Sequence, residues 1–526
     1  MVLATSLYAR CSVDYLQSST GLGSTAIAPS KTPSQNSTII HMSTSTLTPT
    51  AQSIEQVSAE IDRIFAAQQA NVTYLRNTTA RERITKLKKL RSTIEANLEE
   101  LHEALHKDFR KSPAEVNLAE VFPIFGSIKH TCAKLRRWMK PKRVGTPLNI
   151  IGSSSKVYYE SKGVALIISP WNYPFNLTFD PLVYAIAAGC AAILKPSEMT
   201  PHTSAFITKL VKATFPENEV AVFEGDAAVA QALLAKPFDH IFFTGSPALG
   251  KVVMRAAAEH LTSVTLELGG KSPVIVDKDT NINDAADKIT YGKFLNCGQT
   301  CIAPDYILVH QEVKDQLVVA IEERINRFAK GEAGNDTIET TPDYARIVNQ
   351  RHFQRIKSLL DDATAKGGKV RTGGQVIAEE NFIAPTLIEQ VSEDMKLMQE
   401  EIFGPLLPIK TFNTLKEATD YVATKPKPLA LYFFGNRKDS REFVLKNTTA
   451  GGTSINETLL HITNPDLPFG GVNNSGIGKT HGFYGFTAFS NERAVLHQRV
   501  GLTSIKMIYP PYTPRVKQFV KLLMRT

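Results

Sequence analysis

Acid is nearly absent from both ends of this chain. Asp14 is the single carboxylate in the first fifty residues, and Gly501 to Thr526 contain none. Nineteen Ser or Thr crowd residues 1–50 with little apolar periodicity, so a disordered N-terminal extension is expected there. The same stretch lacks an apolar core with a basic lead, which argues against a signal peptide. Arg10 and Lys31 are thin for an organellar presequence, although they leave such targeting open. Cytoplasm is the default, and Met42, just ahead of the first helical pattern, is an alternative start. The five cysteines (Cys11, Cys132, Cys190, Cys297, Cys301) are an odd set with no paired framework, which fits a reducing compartment. Cys297 and Cys301 lack companion ligands, so no metal centre is expected. The dinucleotide fingerprint Gly-x-Gly-x-x-Gly is missing too.

What remains is ordinary globular material. At 526 residues, 43% apolar and 21% charged, the chain can bury large cores and form two or three domains. Its net charge of +9 is spread out, concentrating only at Lys86–Arg91, Lys134–Arg143 and the C-terminus. The first two read as solvated faces, so no nucleic-acid partner is expected. An amphipathic helical stripe runs from Ser53 to Phe109. Apolar strands then alternate with helices: Gly163–Ser169, Asp180–Gly189, Ala191–Leu194, Pro201–Phe215, Val220–Phe223, Ala227–Ala235, His240–Phe243, Lys251–His260 and Ser263–Leu268. That alternation predicts parallel βαβ units with both sheet faces covered, and ligands beyond the carboxyl ends of the strands. A second α/β unit follows Asp277.

Two stretches carry the chemistry. Phe294-Leu295-Asn296-Cys297-Gly298-Gln299-Thr300-Cys301 offers a thiol, and Leu266-Glu267-Leu268-Gly269-Gly270-Lys271 places a carboxylate at the end of an apolar strand. A free cysteine is usually a small buried hydrophobe, but a carboxylate in a buried strand needs a partner or a task. Pro170-Trp171-Asn172-Tyr173-Pro174, Leu194-Lys195-Pro196-Ser197-Glu198, Phe243-Thr244-Gly245-Ser246 and Glu401-Ile402-Phe403-Gly404-Pro405 complete the constellation. In this wording and order, from about Ile84 to Arg499, the chain resembles the aldehyde dehydrogenases. The Cys301, Tyr173 and Pro468-Phe469-Gly470-Gly471 segments look most like class 3, the fatty aldehyde dehydrogenase type. Asn473 replaces that family's usual glycine.

The resemblance implies an α/β aldehyde dehydrogenase fold. Residues 51–152 and 162–270 would form a Rossmann-like, parallel-sheet cofactor domain, and 271–490 an α/β catalytic domain. Residues 153–161 and 491–500 would form a small β oligomerisation arm, giving a homodimer. Cys301 would be the nucleophile, with Glu267 the base that activates water and Asn172 with the Cys301 amide the oxyanion donors. Lys195, Glu198, Gly245, Ser246, Gly250, Glu401 and Phe403 would hold NAD, with NADP as the alternative. Tyr173 and Phe469 would line the substrate pocket. The implied reaction oxidises an aldehyde to a carboxylic acid by hydride transfer to NAD(P), through a Cys301 thiohemiacetal and thioester. Medium-to-long aliphatic aldehydes are the first expectation and aromatic ones the second. Coenzyme A-dependent acylation and a non-catalytic binding descendant are the other readings.

Residues 501–526 end in a basic helix in which Val516, Phe519, Val520 and Leu523 fall at i, i+3, i+4 and i+7 beside Arg515, Lys517, Lys521 and Arg525. Docking on its own protein, a lid over the substrate funnel and peripheral membrane contact all fit that pattern.

Overall fold

A computed structural model describes residues 51–147, 150, 152–329, 336–501 and 504–524. The extension expected over 1–50, with the alternative start at Met42, lies outside the described residues.

The stripe from Ser53 to Phe109 is three helices, Ala51–Asn77, Ala80–Glu95 and Leu98–Phe109. Thr79 starts the second in a capping box, its hydroxyl accepting from the Glu82 amide while Glu82 accepts from the Thr79 amide. Asn97 stands at the next break. Caps interrupt a helix without disturbing its apolar period, which is why one stripe spans all three.

Five parallel strands follow, in spatial order Val220–Val222, Ala191–Lys195, Val164–Ile168, His240–Gly245 and Ser263–Leu268. Chain direction across the sheet reverses between Val164–Ile168 and His240–Gly245, the switch point where such sheets receive ligands. Side chains alternate between two cores. Leu166, Ile193 and Ile241 meet Ile61, Ile64 and Phe65 of the first helix. Ile167, Leu194 and Phe242 join Leu87, Leu90, Leu101 and the helix Asn176–Ala188. Each such side chain, fully buried, contributes about 1.5–3 kcal/mol.

A seven-stranded sheet forms the second body, ordered Lys369–Thr372, Thr386–Glu389, Leu406–Phe412, Tyr306–His310, Pro273–Val276, Ala430–Phe434 and Gly452–Ile455. All its pairings are parallel except the first. It too is covered on both faces, by the helix Gln350–Ala365 on one and by Ile282–Phe294 and Lys314–Ala329 on the other.

Two departures from the sequence reading matter for the site. Residues 476–489, expected within the catalytic unit, return to the first body. The short strand Gly476–Ile477 pairs antiparallel with Ser263–Leu268, setting Gly476 opposite Glu267, and Phe486 and Phe489 join the core beneath that sheet. The helix expected to begin at Lys251 begins at Pro247, so Gly250 lies in its first turn. In the third sheet, Lys142–Val144 and Ser490–Gln498 flank Ser153–Ser161, registered from Ser490 opposite Ser161 to Gln498 opposite Ser153.

Candidate active site

The loop that carries Cys301 is held in an unfavourable backbone conformation. After the helix Ile282–Phe294, Asn296 (φ 53°), Cys297 (φ 55°) and Gly298 (φ 73°) are all left-handed. For the two L-residues that conformation costs roughly 1–2 kcal/mol each, and a hydrogen-bond net offsets it. Asn296 Nδ2 donates to the Asn172 carbonyl at 2.8 Å. Gln299 Nε2 donates to the carbonyls of Asn296 and Arg346, both at 3.0 Å, and its Oε1 accepts from the Val348 amide at 3.0 Å. The Cys297 thiol donates to the Tyr344 hydroxyl at 3.1 Å, and burial pushes its pKa up to about 12, which makes it structural. Gly298 is required by space: a Cβ there would run into the Gly404 carbonyl.

Cys301, by contrast, is only partly buried. Burial, then the Glu401 and Glu267 carboxylates, push its thiol up to about 12, partly opposed by the amides of Cys301 and Ile302. The resting group is therefore a thiol. Of the two activation routes open to this cysteine, a lowered pKa is not the one found, and proton loss during attack remains. Glu267, the second-last residue of the strand Ser263–Leu268, is 5% exposed, and neither carboxyl oxygen has a hydrogen-bond partner among the described residues. Burial raises its pKa well above the carboxylate range, against the pull of Lys479.

Asn172 and Tyr173 reach the same loop from the first sheet. Asn172 Nδ2 donates to the Gln299 carbonyl at 3.0 Å, leaving its second amide hydrogen for another acceptor, and the Tyr173 and Thr300 hydroxyls share a 2.6 Å hydrogen bond. Beneath them Lys111, wholly buried, donates to the Asn172 carbonyl at 3.1 Å and to Glu120 Oε1 at 2.9 Å. Phe469 packs with Cys301, Leu295 and Ile462 against one core and stacks on His481, centroids 5.0 Å apart. His481 also faces Asp180 at 3.7 Å.

The remaining expected residues lie at strand ends around this centre. Ser246 caps the helix Pro247–Glu259 by accepting from the Leu249 amide, and that helix start is exposed, with Leu249 57% accessible. Gly245 and Gly250 leave no room for a Cβ, against Phe243 and Leu268 respectively. Lys195 ends its strand almost fully buried and donates to Glu198 Oε2 at 2.9 Å, while Glu198 is half-exposed. Glu401 fills the space where a Cβ of Gly269 would stand, and burial with Asp305 nearby raises it to about 8. Phe403 (φ 46°) lies edge-on to Trp171 at 5.3 Å. These features fit a dinucleotide. An open helix start suits pyrophosphate, a half-exposed carboxylate beside a lysine suits ribose hydroxyls, and the half-buried Glu401 carboxyl, with Phe403 two residues on, suits the other ribose and its base.

Sequence reasoning missed Lys111, Lys479 and His352. Trp171 packs on His352 at 4.8 Å, and both His352 ring nitrogens are buried without a partner among the described residues, while burial holds its pKa down to about 4. A lone His or Lys in a helix or turn carries no signal of its own. One pattern does carry the letters of a zinc site, His102-Glu103-Ala104-Leu105-His106 on the helix Leu98–Phe109. Glu103 and His106 are exposed, His102 Nε2 bonds Asn117 Oδ1 at 2.9 Å, and no metal-holding cluster of three such residues occurs among the described residues.

The fold is that of a dinucleotide-dependent oxidoreductase, and the comparisons name the family. The chain belongs to the aldehyde dehydrogenase family, whose model matches residues 31–495. It is 44% identical over 431 residues to the 4,4'-diaponeurosporen-aldehyde dehydrogenase of Staphylococcus aureus, covering 82% of this chain and 92% of that one. Mouse aldehyde dehydrogenase family 3 member B3 is 41% identical, covering 84% and 91%. The solved substrate-bound state of Staphylococcus aureus AldH superposes with a TM-score of 0.84 at 42% identity, covering 88% and 99%. This chain is an NAD(P)-dependent aldehyde dehydrogenase of class 3 type, oxidising aldehydes to acids.

Proposed function

We propose that the enzyme oxidises medium-to-long aliphatic aldehydes, with NAD preferred, and hydrolyses the acyl-enzyme with water. The supporting observation is Glu267, a buried carboxyl without a partner, within electrostatic reach of the Cys301 thiol. Cys301 Sγ attacks the carbonyl carbon, its proton passing to solvent as the carbon–sulfur bond forms. The Asn172 amide and the Cys301 N–H receive the oxyanion, each such donor being worth about 2.7–4 kcal/mol. Bound NAD(P) supplies the hydride acceptor. The chain is left with a thioester on Cys301. Ionised Glu267 takes a proton from water as the water oxygen attacks that carbon, and the acyl–sulfur bond breaks to free the acid while the departing Cys301 sulfur takes that proton from Glu267.

Leu295, Ile462 and Phe469, packed with Cys301 against one apolar core, favour an apolar substrate. Glu198 would repel a 2′-phosphate, which supports NAD over NADP. We assign the six-stranded body to the cofactor and the seven-stranded one to catalysis, with Cys301 in the cleft between them. The open edges of the three-stranded sheet would pair in a homodimer.

Rapid mixing with decanal and either cofactor tests this. Wild type should give a burst of reduced cofactor and then turnover, faster with NAD. Cys301→Ala should give neither phase. Glu267→Gln should keep the burst and lose about 10²–10⁴-fold in turnover. Full turnover in Glu267→Gln, or turnover only with coenzyme A, overturns the hydrolytic reading. A benzaldehyde rate above the decanal rate overturns the aliphatic one.

A further inference from the structure

Both carboxyl oxygens of Glu267 are buried without a partner among the described residues, and the cation that pulls on its charge comes from a loop outside the recognised motifs. The strand Gly476–Ile477 sets Gly476 opposite Glu267 and carries the chain on to Lys479. Lys479 Nζ donates to the carbonyls of Gly470 and of Gly471, the latter at 3.1 Å, so two of its three hydrogens are committed. Gly470 (φ 146°) locates both partners. A Cβ placed there would stand 2.9 Å from Glu267 Oε1 and 3.1 Å from Lys479 Cδ, so carboxyl and lysine stem border the same small space.

Other neighbours do not supply a positive charge. Cys301, from the catalytic loop, and Glu401 beyond it add only negative charge when ionised. Thr244 pairs with Glu267 on the adjacent strand and is neutral. On Glu267's own strand, Thr265 bonds His240, which burial keeps uncharged. His481, two residues beyond Lys479, is turned towards Asp180 and Phe469.

We propose that Lys479 is a positioning residue for Glu267: tethered by the Gly470 and Gly471 carbonyls, its ammonium opposes the effect of burial and favours the ionised form of the base that activates water to cleave the thioester. The reading rests on Glu267 being the deacylation base. Removing the cation leaves an ionised carboxylate facing only burial and other acids, so deacylation should need a higher pH. Attack by Cys301 and the burst should change little.

The test is the pH profile of deacylation after the burst, with each rate divided by burst amplitude so that only folded sites count. Lys479→Met should move the acid-limb midpoint up by about one pH unit or more, and so lower the rate about tenfold below it, with the alkaline plateau kept. Lys479→Arg should bring the midpoint back. A midpoint unmoved in Lys479→Met, whether or not the plateau falls, overturns the proposal, as does failure of Lys479→Arg to restore it. Glu267→Gln run in parallel separates the two readings. If it deacylates normally, the base assignment itself has failed. If it is slow while Lys479→Met keeps the wild-type midpoint, only the role of Lys479 has failed.

Discussion

Gly298 is the residue at which the thiol-bearing loop touches the Glu401–Pro405 segment, since its missing side chain leaves room for the Gly404 carbonyl. Gly298→Ala should therefore fail twice. The new methyl would have to displace backbone, and alanine is strained at φ 73°. Overpacking of this kind costs about 1–3 kcal/mol, and a catalytic group misplaced by about 1 Å can lose about 10²-fold in rate. Thermal unfolding should show a lowered midpoint and rapid mixing a slowed burst. An unchanged burst rate would mean that the loop tolerates the methyl. At this scale the sequence singles out Cys301 and Glu267 because each stands in a motif of neighbours, with Gly298 inside the first of them. Lys479 was not legible, since a lysine acquires its meaning only when a strand return folds it back over a carboxyl 212 positions earlier in the chain. His352 and Lys111 were hidden for the same reason, their partners being remote in sequence.

Among elements, the alternating apolar strands of the first sheet were readable because both faces are buried and each run is bounded by Gly, Pro or polar residues. Gly476–Ile477 was not, because two residues in a turn-rich stretch have no period, and their place depends on the open edge of Ser263–Leu268. The short helices between Leu98–Phe109 and Phe122–Trp138 were also unseen. There a π-helical turn, Asn117–Val121, carries Glu120, which accepts from Lys111 Nζ at 2.9 Å and, through Oε2, from the Asn176 amide at 2.9 Å. The pair thus ties this turn to the start of the helix Asn176–Ala188 and to the Asn172 carbonyl. Lys111→Met would strand a buried carboxylate, and breaking such a pair typically costs about 3–5 kcal/mol. Urea unfolding should show that loss, while Lys111→Met with Glu120→Gln should recover part of it because no charge is left alone. A loss below about 1 kcal/mol in the single variant would place the pair with solvated surface bridges.

For the whole molecule, the α/β class with parallel sheets was legible from strand and helix alternation and from the motif order, whereas the strand orders and the pairing of Gly476–Ile477 with Ser263–Leu268 depend on long-range contacts that no local pattern reveals. The basic C-terminal segment was legible as a helix, and Pro514–Leu523 is one, capped by Thr513. Val516 and Phe519 are half-buried, but Val520, Leu522, Leu523 and Met524 are exposed, with no helix among the described residues long and apolar enough to cross a membrane. An exposed apolar side flanked by Arg515, Lys517 and Lys521, without any acid, suits an anionic lipid surface. Three cations at about 1 kcal/mol each, plus shallow insertion of a few apolar side chains, give weak and reversible attachment. The enzyme should therefore sediment with vesicles containing phosphatidylserine, less with phosphatidylcholine alone, and be released as salt shortens the screening length below about 10 Å. Removing residues 501–526 should abolish sedimentation while the burst with a short aldehyde stays the same. Equal binding to neutral vesicles would assign the attachment to apolar contact, and retention after the truncation would move it elsewhere on the protein. A short-aldehyde burst lost with the segment would instead make this helix part of the substrate approach, because a surface anchor has no contact with the reacting atoms.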